Sequence, residues 1–307
     1  MIGVLIGFAV IATIILIGYI VGRSGVLGEH AQFVLGRFAF YVASPCLLFT
    51  VLADADIHVL FSSQLLVSFV AAVGSGLVFF TIARLLWRRE LSESIIGSLG
   101  SGYVNANNMG IPVAVFVLGD AAFAAPVVLL QLLVFAPVAL TALDVQQHGG
   151  GSIGRILLRP FRNPIIVGSA LGVLVSALQW TPPDEVMQPF RIIGAAAVPV
   201  MLVSFGMSLH GQRPLAPGSS RRDVLLASSL KLALMPTIAW AFGYFGVGLT
   251  GLPLFAAVVL AALPAAQNVF NYAQRYGRGV IMARDIVLIT TVLSLPALVV
   301  VAALLAP

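Results

Sequence analysis

The sequence predicts an all-α membrane protein of ten transmembrane helices, from its composition, its hydropathy pattern and two interrupted apolar stretches. Of the 307 residues, 60% are hydrophobic and only 9% are charged, and the mean hydropathy is +1.07. In soluble globular domains about a quarter of all residues are charged. A soluble globular fold is therefore excluded.

Ten apolar windows of roughly 20 residues, the length that crosses a bilayer as a helix, follow one another along the chain. No Lys or Arg precedes Arg23, so the first window lacks the basic region of a signal peptide and is expected to remain as a span. The single cysteine, Cys46, rules out an internal disulfide. The windows fall near residues 2–22, 31–53, 61–83, 94–117, 121–143, 164–180, 187–209, 224–246, 253–274 and 281–306.

Basic residues in the loops predict the orientation. The loops after spans 1, 3, 5, 7 and 9 hold thirteen arginines, whereas the opposite loops hold only Arg191. By the positive-inside rule the arginine-rich loops are cytoplasmic, so both termini lie on the non-cytoplasmic side. Since these charges are scattered over five short loops rather than along one face, no nucleic-acid partner is expected.

Five spans in each half give the two halves opposite orientations in the membrane. We expect residues 1–143 to form a first five-helix repeat, residues 144–162 a cytoplasmic linker, and residues 163–307 a second, inverted repeat. Spans 2 and 7 support the repeat, because in each an arginine precedes a proline by eight residues. These pairs are Arg37 with Pro45 and Arg191 with Pro199.

Helix-breaking residues cluster inside spans 4 and 9, at residues 105–112 and 263–271. Broken backbone at membrane depth is tolerated only where it is buried in protein or lines a cavity. Inverted repeats with a broken helix in each half are typical of secondary transporters that bind substrate near the bilayer midplane. Pro112 and Pro264, 152 residues apart, are expected to mark equivalent crossings. The alternative is that Pro and Gly only kink packed helices.

The two broken stretches predict a binding site for an anion. Helix N-termini present free N–H groups and a partial positive charge, and Asn and Gln side chains add groups that both donate and accept. The alternative role of such amides is packing between helices. The predicted substrate-binding residues are Asn105, Asn107, Asn108, Pro112, Pro264, Gln267, Asn268 and Asn271.

Lys231, the only lysine, lies in span 8, eight residues past Asp223. At 1.5 Å per residue it is about 12 Å into the membrane, where an ionisable residue indicates function by default. Asp285 in span 10 is the predicted partner, either in a structural ion pair or in a pair that titrates and couples transport to protons. Snorkelling of the lysine to the interface is the third alternative.

Other chemistry is not expected. The histidines lie in loops without the spacing of a metal site, and no glycine-rich phosphate loop precedes the lysine, so we predict no metal, no cofactor and no enzyme. An intramembrane enzyme and a receptor without flux are the rival classes. Three small-residue motifs are candidates for helix packing or for a homodimer contact. They are Gly3-xxx-Gly7, Gly18-xxx-Gly22 and Gly168-xxx-Gly172.

Four short strings, in order on spans 2, 4, 8 and 9, carry a family resemblance. They are Ser44-Pro45-Cys46-Leu47-Leu48-Phe49; Met109-Gly110-Ile111-Pro112 after Asn105; Lys231-Leu232-Ala233-Leu234-Met235-Pro236; and Leu263-Pro264 with Phe270, Ala273 and Tyr276. Over most of its length the chain resembles the auxin efflux carrier family, which includes plant PIN carriers and bacterial malonate-type permeases.

The resemblance implies the fold shared by PIN carriers and bile-acid symporters. Spans 1, 2, 6 and 7 would form a scaffold, and spans 3–5 and 8–10 a transport domain that moves in an elevator mechanism. It also implies that the substrates are small organic anions, either auxin-like monocarboxylates or malonate-like dicarboxylates. The expected location is the lipid bilayer of a bacterial inner membrane. A sodium-coupled symporter of the bile-acid type is the alternative, against which stands the lack of Asp and Glu in both broken stretches.

Overall fold

The computed structural model describes residues 2–54, 63–148, 163–211, 215 and 220–307, and over these residues the chain is helical, with no strand beyond one isolated bridge. The predicted all-α class is confirmed. Residues 144–148 of the predicted linker continue a helix to His148, and the rest of the linker lies outside the described residues. The helices are α1 Ile2–Ser24, α2 Ala31–Asp54, α3 Ser63–Leu86, α4 Leu91–Gly102, α5 Ala106–Leu118, α6 Ala121–Leu143 with its extension, α7 Pro164–Ala177, α8 Asp184–Ser208, α9 Arg221–Gly246, α10 Gly251–Ala261, α11 Gln267–Tyr276 and α12 Val280–Leu305.

Helix length and composition identify membrane spans directly. In the described parts of the chain, six helices are long and apolar enough to cross a bilayer, namely α2, α3, α6, α8, α9 and α12. The predicted span 4 is divided into α4 and α5, and the predicted span 9 into α10 and α11. A multi-pass membrane protein with two interrupted helices is thus what the structure shows.

Four π-helical turns each end two residues before a proline, and the surrounding helices continue through it. A proline lacks the N–H group and its ring clashes with the carbonyl one turn back. In a π turn, backbone hydrogen bonds join residues five apart and the helix is wider, which accommodates the proline ring. The turns are Ala39–Ala43 before Pro45, Ala106–Gly110 before Pro112, Gln131–Phe135 before Pro137 and Leu230–Leu234 before Pro236.

One group of helices is held together by glycines. α1 packs along the second half of α8, and α7 packs along the second half of α2. A Cβ atom on Gly18 would lie 2.3 Å from the carbonyl oxygen of Val203, and one on Gly168 would lie 2.6 Å from that of Pro45. The motifs that begin at Gly18 and Gly168 therefore pack helices within the chain. The surroundings of Gly3 lie outside the described residues.

Gly206 in α8 makes the tightest of these contacts, since a Cβ atom there would lie 2.1 Å from the carbonyl oxygen of Ile15. We expect Gly206→Ala to push α1 away from α8 and to lower stability by about 1–3 kcal/mol. The control is Gly36→Ala, because Gly36 also faces α8 but meets only Ser204 Oγ, at 3.4 Å. Alanine is the better helix former, so this control should be neutral or stabilising. Thermal unfolding in detergent measures both, and equal midpoints would contradict the prediction.

The remaining helices form a second group. α3 packs against α4, α9 and α10, and α12 packs against α9, α10 and α11. Two ion pairs join the first half of the chain to the second at one end of this group. Arg89 donates to both oxygens of the buried Asp223, at 3.2 and 2.6 Å, and Arg278 pairs with the exposed Glu90 at 3.0 Å.

The two gaps in the interrupted helices cross each other as extended backbone. Val104 and Ala265 form an antiparallel bridge, in which the Asn105 N–H donates to the Pro264 carbonyl at 2.8 Å and the Ala266 N–H donates to the Tyr103 carbonyl at 3.0 Å. Backbone groups that a helix break would leave unpaired are thereby satisfied. Both interrupted helices are therefore present in the structure, and their two gaps are hydrogen-bonded to each other.

The structure corrects where the first break lies. The non-helical residues are Tyr103 to Asn105, and the predicted stretch 105–112 is mostly the start of α5. Pro112 lies inside that helix, whereas Pro264 lies in the second gap, so the 152-residue spacing does not relate equivalent positions. The π turn before Pro112 is the physical reason that this proline does not break the helix.

Candidate functional site

Polar side chains from neighbouring helices complete the hydrogen bonding of the crossing. Gln131 Nε2 of α6 donates to the Val104 carbonyl at 2.9 Å, and Thr290 Oγ1 of α12 accepts from the Ala265 N–H at 3.1 Å. Both side chains are buried. Each gap thus receives one bond from a side chain in addition to the bonds that the gaps exchange.

The helices that lead into the crossing end on carbonyl groups that need donors. At the end of α4, Ser75 Oγ donates to the Ser101 carbonyl at 2.9 Å. At the end of α10, Lys231 Nζ donates to the Ala261 carbonyl at 2.7 Å and lies 3.2 Å from Met235 Sδ. Because the C-terminal end of a helix carries a partial negative charge, a cation there is favoured. Lys231 is fully buried and acts as a C-terminal cap, so it does not snorkel to the interface.

The predicted pair of Lys231 and Asp285 is not formed. Asp285 is fully buried, but its Oδ1 accepts from Arg284, with the shorter bond at 2.9 Å, and its Oδ2 accepts from the Leu215 N–H at 3.2 Å. Each of the two charged groups is therefore satisfied by other partners. The prediction is corrected to two separate contacts, one with a backbone carbonyl and one with an adjacent arginine.

A cavity of about 460 Å³ lies beside the crossing. One wall is built by α2, α7 and α8, and the other by the crossing, α6 and the first turns of α5 and α11. All six predicted amide side chains line it, whereas the two predicted prolines do not. Pro112 is buried inside α5, and Pro264 contributes its carbonyl to the bridge. The amides are Asn105, Asn107, Asn108, Gln267, Asn268 and Asn271.

The first turn of α5 begins beside a buried hydrogen-bond donor that has no partner among the described residues. Asn105 precedes the helix and its Oδ1 accepts weakly from the Asn108 N–H, at 3.4 Å. Its Nδ2 is buried and has no partner among the described residues, although the side chain is only 3% exposed. Asn107 Nδ2 donates to Asn108 Oδ1 at 3.0 Å. An unpaired buried amide is costly, so a bound molecule that accepts from Asn105 is favoured.

The second interrupted helix also presents its N-terminal end to the cavity. Gln267, Asn268 and Asn271 lie in the first two turns of α11 and line the cavity with the first turn of α5. Each helix start contributes about half a positive charge and free N–H groups, which together favour an anion. Tyr103, from the first gap, packs edge to face on Tyr272 with ring centroids 6.4 Å apart and closes this side.

The wall that α2 helps to build carries Arg37, which in the sequence only marks the repeat. The Arg37 guanidinium lies over two rings one helical turn away on α2, 5.5 Å from the centroid of Phe33 and 5.2 Å from that of Tyr41. All three residues line the cavity, and Arg37 forms no ion pair within the described chain. An ionisable residue inside a span was the available clue to its role.

The charge of the cavity is positive. Among the described residues that line it, Arg37 is the one charged side chain, and neither Asp nor Glu is present. No group of three or more His, Cys, Asp or Glu side chains in the described ranges is arranged to hold a metal ion. The arrangement can bind a small anion through amides, helix ends and a guanidinium.

Comparisons with known proteins agree on transport. The model of a family described as membrane transport protein matches residues 4–153 and 151–302. A protein of Rhizobium meliloti (strain 1021), provisionally named a malonate transporter, is 28% identical over 292 residues, which are 92% of this chain and 89% of that protein. An uncharacterized transporter of Methanothermobacter thermautotrophicus is 28% identical over 295 residues, 94% of each chain.

Proposed function

The chain belongs to the membrane transport protein family, that of the auxin efflux carriers, and on this basis we propose that it is a secondary carrier for small organic anions. Its substrates would be malonate-like dicarboxylates or auxin-like monocarboxylates. One observation carries the proposal: the cavity at the crossing is lined by six amides, two helix starts and Arg37, with no carboxylate among its described residues. Its size is within the range of small-molecule sites.

The helix pattern supports ten spans in two inverted repeats. In this proposal α4 with α5 forms one span and α10 with α11 another, which adds two spans to the six long helices and to α1 and α7. The antiparallel bridge between the two gaps is what two crossings of opposite orientation would produce. Small residues and polar side chains repair the interrupted backbone, as membrane burial requires.

The division of the cavity wall supports an elevator mechanism. α1, α2, α7 and α8 pack together through glycines and would form the scaffold, while the other helices pack around the crossing and would move. The cavity lies between these two groups. An anion held by the crossing would then be carried past α2 and α8 to the other side of the membrane.

The end of the cavity nearest to solvent is proposed to face the cytoplasm of a bacterial cell. Its α2 residues run from Gln32 to Tyr41, near the start of that helix, and its α8 residues run from Met201 to Phe205, near the end. Arg23 precedes the loop before α2, and Arg213, Arg221 and Arg222 follow α8. By the positive-inside rule this side is cytoplasmic, which would place both termini on the other side.

The direct test is ligand binding and flux with the purified protein. We expect malonate or a monocarboxylate to raise the unfolding midpoint in proportion to its occupancy. Asn268→Ala should weaken binding by roughly 10-fold or more, because a hydrogen bond to a charged group is worth about 1.5–3 kcal/mol. Asn163→Ala is the matched control, since Asn163 caps α7 and is not among the residues that line the cavity. Unchanged affinity in Asn268→Ala, or stabilisation by no carboxylate, would contradict the proposal.

Flux in proteoliposomes separates this carrier from a sodium-coupled symporter. We expect the same uptake rate with and without a sodium gradient, because the carbonyl at the end of α10 already accepts a hydrogen bond from Lys231 Nζ. Uptake that requires the sodium gradient would favour the bile-acid type of mechanism instead.

A further inference from the structure

We propose that Arg37 binds a second anionic group of the transported molecule and so makes the site select dianions, such as dicarboxylates, over monoanions. This inference rests on the proposed function, and it assigns a substrate class and a specificity-determining residue to the same cavity. A monocarboxylate would accept hydrogen bonds from the crossing only. A dicarboxylate would bind the crossing with one carboxylate and Arg37 with the other.

The first argument is that Arg37 is held in place but its hydrogen-bond donors are uncommitted. The rings of Phe33 and Tyr41, four residues before and after it, restrict the guanidinium through cation–π contacts. Neither contact uses a hydrogen bond of the guanidinium, so its N–H groups can bind a carboxylate with two bonds. Two other arginines in helices are paired with aspartates, Arg191 with Asp184 and Arg284 with Asp285.

The second argument is that the cavity has binding groups on two walls. Asn105, with its buried and unpaired Nδ2, and the start of α11 belong to the crossing. Arg37 belongs to α2, on the wall built by the helices of the first group. A molecule with one charged end can contact only one wall with that end, whereas a molecule with a carboxylate at each end can span the cavity.

The third argument is the balance of charge. Two helix starts at about half a positive charge each, together with one guanidinium, amount to about two positive charges. No acidic side chain among the described lining residues offsets them. A dianion would neutralise this cavity, whereas a monoanion would leave about one positive charge unpaired. Arg37 itself is exposed, so solvent and salt screen its part of this selection, and the preference for dianions should weaken as salt is added.

The experiment compares affinities for a matched series of short mono- and dicarboxylates, measured with purified full-length protein by thermal shift or calorimetry. Acetate and propionate serve as monoanions, and malonate and succinate as dianions. In Arg37→Gln we expect the dicarboxylate affinity to fall on the order of 10- to 100-fold, the effect of losing a charged hydrogen-bond partner, and the monocarboxylate affinity to change little. The dicarboxylate affinity of Arg37→Lys should lie between those of the wild type and Arg37→Gln, because lysine keeps the charge but not the two-bond geometry.

Arg23→Gln is the control for general electrostatics, because Arg23 ends α1 at the same end of the molecule and does not line the cavity. Equal losses for both ligand classes in Arg37→Gln would overturn the inference, as would unchanged affinity for both. A change in lipid dependence without a change in the dicarboxylate preference would assign Arg37 to lipid headgroups and would also overturn it. If the wild-type protein binds no carboxylate, the proposed function itself fails, which is a distinct outcome.

Discussion

Asn105→Asp is expected to abolish anion binding and to lower stability without removing the N-cap of α5. The two side chains have the same shape, so the aspartate Oδ1 can still accept from the Asn108 N–H, as the asparagine does at 3.4 Å. The change replaces the unpaired and buried Nδ2 donor by a negatively charged oxygen in a residue that lines the cavity. At a separation of about 4 Å, two like charges in a protein repel by roughly 4 kcal/mol, a loss of affinity on the order of 1000-fold.

Two measurements give this prediction its control. The unfolding midpoint without ligand should fall, because Asn105 is only 3% exposed and an unpaired carboxylate is costly to bury, but the N-cap is kept, since aspartate caps as well as asparagine. Asn163→Asp, which makes the same change at the start of α7, should bind the anion normally. If Asn105→Asp binds with wild-type affinity, the anion does not occupy the start of α5.

Arg89→Ala is expected to destabilise the protein more than any other change in its loops. It leaves Asp223, whose side chain is 2% exposed, without its two charged hydrogen bonds. Removal of one partner of a buried pair costs about 3–5 kcal/mol, and we expect the lower end because Arg89 itself is 36% exposed. A lower midpoint of thermal unfolding in detergent measures the effect.

The double variant and an exposed pair make this prediction specific. Arg89→Ala combined with Asp223→Ala should recover part of the lost stability, because no unpaired buried charge remains. Arg278→Ala breaks a pair with Glu90 in which both side chains are more than half exposed, and it should cost less than about 1 kcal/mol. Equal costs for the two single variants would show that burial of Asp223 does not matter.

Hydropathy was enough to predict an all-α membrane protein, because lipid burial requires long apolar helices whatever they pack against. Six predicted windows coincide with the six helices of the described chain that are long and apolar enough to span a bilayer, and the count of ten spans stays a prediction. The position of the first break could not be read from local propensity. Asn and Gly at 105–110 are poor helix formers, yet they lie in α5, while the gap at Tyr103 and Val104 is made of residues that favour extended backbone.

The reason is that partners far along the chain decide where the helix ends. Val104 is held extended by its bridge to Ala265 and by Gln131, and neither contact leaves a trace in the sequence around residue 104. The partner of Lys231 could not be predicted for the same reason. It is a backbone carbonyl, which every residue has, so no residue type in the sequence identifies it. The six amides line the cavity, as polar groups in a membrane span must face protein or water, and their binding of substrate stays a prediction.

The bridged gaps also bear on the order in which the protein assembles. Chains fold from the N-terminal end during synthesis, so α4 and α5 enter the membrane before α10 and α11 exist. Until Pro264 arrives, the Asn105 N–H lacks the acceptor that it has in the finished protein. The nascent first half must therefore hold this amide in water, or against another temporary partner. The ligand cavity is then completed at a late stage, when the last quarter of the chain has been inserted.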